Sequence, residues 1–173
     1  HRAYSERGSV VLKQEMKITI DKIISKNVYK TELIGQWFKP KGFDLSMTAI
    51  NCPSLKICVN LVHGSFTEFK RMIYLQFGED LKTDSCVAFA CSLKDKNGTQ
   101  WNFVLIQENE WTAEHYGTLA HEIHHLTHFS LEEKGVTYGM GGEEVYAYLS
   151  GFFMEMIVRA FQELKRTTSK KKK

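Results

Sequence analysis

The run Trp101-Asn102-Phe103-Val104-Leu105-Ile106-Gln107 limits the fold more than any other segment. Its aromatic and β-branched residues read as a strand. On a strand, Val104 and Ile106 point one way and Phe103 and Leu105 the other. Apolar side chains on both faces need cover on both sides, so the chain must bring packing layers to each. A second β-rich run, Cys86–Leu93, comes just before it. Between them, Asn97-Gly98 supplies the positive-φ residues of a tight type I′ turn, so the two runs are expected to form a hairpin. Asn97-Gly98-Thr99 also matches a glycosylation sequon, but the turn explains it better.

Two helices are expected after this hairpin. Thr112 is a candidate N-cap, and Glu114 suits the positive end of the helix dipole. Tyr116, Leu119, Ala120, Ile123 and Leu126 recur at helical spacing as a buried stripe. The second helix follows Gly139-Met140-Gly141-Gly142, with Val145, Leu149, Phe152, Met156, Ala160 and Phe161 as its core face. The first half is less periodic. Met16, Ile18 and Ile20 alternate as a short strand, and Ile23–Phe38 reads as a helix ended by Lys39-Pro40-Lys41-Gly42. Ile57–Val62 reads as a strand. Ser65 caps a helix through Phe66, Phe69, Met72 and Ile73, although Ile73–Phe77 fits a strand equally well.

A chain of 173 residues suits one domain, expected over 1–164, with 165–173 as a disordered basic tail. The net charge of +3 depends on that tail. Lys165, Arg166 and Lys170 to Lys173 carry six positive charges, and the rest of the chain is net acidic. A nucleic-acid binder should be basic over a folded face, so contact with nucleic acid is expected only as weak, salt-sensitive binding by the tail. No segment has the roughly 18 apolar residues of a membrane span. The opening residues His1–Arg7 lack the apolar centre of an export signal. The expected compartment is the cytoplasm, with export kept as an alternative because the sequence does not start with Met. Cys52, Cys58, Cys86 and Cys91 match neither a zinc knuckle nor a redox pair, and are expected to be free, buried thiols. A four-thiolate zinc site or two disulfides are the alternatives.

The chemistry concentrates in His121-Glu122-Ile123-His124-His125, an HExxH pattern on the first of the two late helices. Residues four apart share a helix face, so His121 and His125 can ligate one metal ion. Nitrogen ligands in a tetrahedral arrangement suit zinc. Glu122 is turned about 100° from His121 and flanks the ion, where a general base can take a proton from water. A third ligand is needed. The long HExxHxxGxxH pattern is excluded, because His128 and Leu131 stand where Gly and His would be. Glu143 and Glu144 open the next helix. Glu144 is preferred, since it projects with Tyr148 and Gly151 and a glycine permits close helix approach. Glu143 stays open because helix starts shift by a residue. His124 and His128 form a second i,i+4 pair, expected to be exposed or supporting, and His115 to be peripheral. Among Tyr138, Tyr146 and Tyr148, the candidate hydrogen-bond donor to a developing oxyanion is Tyr148.

LAHEIHHLTHF followed by GGEEVYAYLSGFF resembles the zincin-type metallopeptidase-like domains encoded by bacteriophages and prophages. The matching residues are Thr118, Leu119, His121, Glu122, His125, Glu144, Ala147, Tyr148 and Leu149, within residues 86–160. The resemblance implies zinc held by His121, His125 and Glu144, with Glu122 as base and proton shuttle. It also implies an α+β fold in which a small mixed sheet packs on the HExxH helix and the helix carrying the third ligand. An edge strand beside the metal, Trp101–Gln107 or a neighbour, would hold an extended peptide. Small metallopeptidases that cleave repressors in mobile elements share the same pairing of motifs. The expected activity is zinc-dependent hydrolysis of a peptide or protein in a bacterial cell or phage-infected host. The alternative is a zincin-fold binding protein without turnover.

Overall fold

The computed structural model describes residues 36–83, 86–107, 111–139 and 141–170. Among these residues, four strands form one mixed sheet: β1 (Leu45–Cys52), β2 (Ile57–Gly64), β3 (Ala88–Lys94) and β4 (Gln100–Ile106). Their order is β1-β2-β4-β3. β1 pairs antiparallel with β2, β2 parallel with β4, and β4 antiparallel with β3. The central β4 is therefore the doubly covered strand that its sequence requires, and Asn102 to Ile106 are all buried.

Helix α1 (Phe66–Phe77) covers one face, meeting Val62, Phe103 and Leu105 through Phe66, Phe69, Met72 and Ile73. Helices α2 (Ala113–Glu132) and α3 (Glu143–Lys170) cover the other, over Val59, Leu61, Ala88, Ala90, Val104 and Ile106. Each fully buried Phe, Leu, Ile or Val contributes on the order of 1.5–3 kcal/mol, so β4 anchors both layers. Ser65 caps α1 by accepting from the Glu68 amide, and left-handed Gly78 ends it. Ile73–Phe77 is accordingly helical.

Several expectations change. The hairpin joining β3 and β4 is not type I′, since Asn97 does not take positive φ. Instead the Gly98 amide donates to the Asp95 carbonyl and Gly98 alone is left-handed, at φ 80°. The Asp95 carboxylate accepts from the Asn97 and Thr99 amides and holds this wider turn. The buried stripe of α2 runs through Leu119, Ile123, Leu126, Thr127, Ser130 and Leu131. Tyr116 and Ala120 are exposed, because Tyr116 sits at the helix start against the Trp111 ring. On α3 the core face runs through Tyr146, Leu149, Phe153, Met156, Ile157, Ala160 and Phe161, one position from the expected phase at Val145 and Phe152.

Of the expected disordered tail 165–173, residues 165–170 continue α3, with the Thr167, Thr168 and Ser169 hydroxyls bonded back to its carbonyls, and 171–173 lie outside the described residues. Of the expected helix Ile23–Phe38, residues 23–35 lie outside the described residues and the part from 36 on is not helical. Phe38 forms a bridge with Met47, and the Trp37 indole donates to the Ala160 carbonyl. The expected strand Met16–Ile20 lies outside the described residues. No described helix is long and apolar enough to cross a membrane.

Phe103 is fully buried on β4 among the rings of Phe69 and Phe77. Phe103→Ala is expected to lower unfolding stability by about 3–5 kcal/mol, read by urea denaturation. A loss under about 1 kcal/mol would contradict the central role of this strand.

Candidate metal centre

Helix α2 is held from three directions. Its N-terminus is capped by the Thr112 hydroxyl, which accepts from the His115 amide, while the His115 ring accepts from the Thr112 amide. Toward the sheet, Asn102 donates to the Ser130 hydroxyl and Gln100 to the Phe129 carbonyl. Toward α3, the hydroxyls of Thr127 and Ser150 meet at 3.1 Å. These bonds fix the roll of α2 about its axis and turn His121 and His125 outward, opposite its buried stripe.

The two histidines converge. Their Nε2 atoms lie 3.1 Å apart, with ring planes at 85°. Two nitrogens on a tetrahedral zinc at about 2.0–2.1 Å stand roughly 3.3–3.4 Å apart. The pair thus needs only a small rotamer adjustment to share such an ion. Phe129 stacks behind His125 with its plane tilted by 17°.

Glu122 points to the side, toward the sheet edge. Its Oε2 accepts from the Ala90 amide at 2.6 Å. Ala90 lies opposite Val104 in register on β3, whose other side has no strand neighbour among the described residues. The edge strand beside the candidate site is therefore β3, and Trp101–Gln107 is interior. Small residues at Ala88 and Ala90 let α2 approach closely enough for this contact.

A third ligand is not gathered. Among the described residues, no group of three or more His, Cys, Asp or Glu side chains is placed to hold one ion. Glu144, Tyr148 and Gly151 do share one side of α3, and that side is exposed. Among the described residues, no atom of another element lies within 4 Å of a Cβ built on Gly151, so the glycine does not serve a close helix contact. Glu143 follows the stripe of Tyr146 and Ser150, both of which bond to α2, and it too is exposed. Tyr148 is 61% exposed.

Sequence spacing missed one pairing, in which the His128 Nδ1 lies 3.2 Å from the buried Tyr146 hydroxyl. The only signal for it was the apolar phase of α3, which spacing placed one residue away. The Tyr138 ring packs edge-on against Tyr146 at 4.9 Å. His124 is exposed and His115 serves the cap.

All four cysteines are free. Cys52 belongs to the core under α2 and α3, and Cys91 to the core under α1, so a four-thiolate site is excluded by the sheet between them. Burial pushes the Cys58 thiol up to about 11. Burial first, and the Glu122 carboxylate second, push Cys86 up to about 11 and Cys91 to about 12. Removing the Glu122 charge should favour the Cys86 thiolate. In Glu122→Gln, alkylation of Cys86 by iodoacetamide at pH 8 is expected to be faster, read by mass spectrometry. An unchanged rate would mean that no ionised carboxylate acts on this thiol.

No known protein family, curated protein or solved structure matches this chain.

Proposed function

We propose that the chain is a zinc-dependent peptide hydrolase of zincin type. The observation that carries this reading is the convergence of the His121 and His125 Nε2 atoms at 3.1 Å, with Glu122 on their flank. His121 and His125 would hold zinc, completed by Glu144, as the resemblance implies, or by Glu143, which follows the stripe of α3 nearest α2. When bound, zinc supplies Lewis acidity toward a scissile carbonyl and toward water.

The chain's own residues do the rest. Glu122 takes the proton of the attacking water and passes it to the leaving amine. The edge of β3, unpaired among the described residues, supports an extended peptide through its backbone groups, next to the Glu122 carboxylate. Tyr148 is the candidate donor to the oxyanion, and its exposed position requires that substrate cover it.

A second reading is a zincin-fold binding protein without turnover. It is favoured by one observation: among the described residues, no third donor stands with the histidine pair.

The protein purified without chelators is expected to carry about one zinc per chain, measured by elemental mass spectrometry. His121→Ala and His125→Ala should abolish that zinc. Glu122→Gln should keep it and lose about 10²–10⁴-fold in hydrolysis of a peptide library. Comparing Glu143→Ala with Glu144→Ala identifies the third ligand by which one releases zinc. Zinc without hydrolysis would select the binding reading, and no zinc in the wild-type chain would reject both.

A further inference from the structure

We propose that the crevice between β1, the carboxyl end of β2 and the last turns of α3 binds a small organic anion. The ligand would carry a phosphate or carboxylate head group on an apolar body. Topology places an opening in this region. β2 and β4 are parallel neighbours, yet the helix after β2 covers one face of the sheet and the helix after β4 covers the other. Parallel strands whose connections leave in opposite directions open a crevice at their carboxyl ends.

Gln107 closes the part between β2 and β4. Its Oε1 accepts from the Phe66 amide at 2.7 Å, and its Nε2 donates to the Cys86 carbonyl. The space left open lies on the β1 side, as a cavity of about 310 Å³. That volume is at the lower end of small-molecule sites, which span roughly 300–1,000 Å³.

The lining is net basic, with Lys39 and Lys165 against Asp44, and suits an anion with an apolar end. Leu45, Phe161 and Leu164 give it an apolar wall, and Ser46, Ser65 and Thr168 bring hydroxyls. Lys165 enters from α3 and has no ion-pair partner among the described residues. Lys39 enters from the chain before β1. Its 3.4 Å pair with Asp44 is exposed on both sides, 72% and 90%, so a ligand anion can take the ammonium from it at little cost.

Gly64 shapes the rim. Its φ is +146°, and a Cβ there would stand 2.7 Å from Leu45 Cδ2 and 2.9 Å from the Asp44 carbonyl oxygen. Only glycine lets β1 and β2 close on each other here while leaving the wall as bare backbone. The histidine pair lies beside β3, and β1 and β3 are opposite edges of the sheet. The crevice is therefore separate from the metal centre and does not depend on how that centre is read.

Titration calorimetry on the full chain provides the test, with phenyl phosphate, benzoate, inorganic phosphate and benzyl alcohol as probes. Phenyl phosphate, benzoate or both should bind, and the tighter of the two identifies the head group. Lys165→Glu should weaken that binding at least tenfold and leave zinc content unchanged. Lys39→Glu should weaken it as well. Both side chains lie at the surface, and an unchanged far-UV dichroism spectrum verifies the fold. Three results would overturn the proposal: no binding of either anion, benzyl alcohol or inorganic phosphate binding as tightly as the better organic anion, or affinity unchanged in both lysine variants.

Discussion

Burial of β4 on both faces is the constraint from which the rest of the molecule follows. A strand with Phe103 and Leu105 on one side and Val104 and Ile106 on the other cannot be stable with a single layer. One face takes α1, and the other takes α2 and α3. Because β4 is interior, β3 is left as the edge on its far side. The short connection out of β4 then delivers α2 onto the face of that hairpin. The HExxH residues therefore sit beside the last described strand of the sheet as a consequence of core packing, before any chemistry is considered.

The sequence made some of this legible and concealed the rest, for identifiable reasons. β4, the Ser65 cap and the Thr112 cap were readable because each depends on neighbours within a few residues. The convergence of His121 and His125 was readable because a helix fixes i,i+4 geometry. The phase of α3 was not, because adjacent apolar pairs such as Val145-Tyr146 and Phe152-Phe153 support two faces equally until α2 and the sheet choose one. The hairpin type was misread because the Asp95 carboxylate outbids the turn preference of Asn97-Gly98. The identity of the edge strand depends on strand order, which local pattern does not encode. The β1-side crevice combines Gly64 with Lys165, which only the tertiary fold brings together.

Glu122 shows why a motif residue needs its structural partner to be understood. Helix geometry places it on the flank of the histidine pair, but a glutamate there has several rotamers. The Ala90 amide selects one, by a charge-assisted bond at 2.6 Å to a single carboxylate oxygen. In the proposed hydrolase, a base fixed in this way would lose less freedom when it acts, which is how a supporting hydrogen bond contributes to a catalytic site. Glutamine retains a carbonyl acceptor for the Ala90 amide while removing the carboxylate charge, whereas aspartate, one methylene shorter, would draw the carboxylate back from β3. The same contact also covers a backbone donor on the outer side of β3. In the proposed hydrolase, a peptide lying along β3 would meet this carboxylate at Ala90, and one hydrogen bond would set both substrate alignment and the position of the base.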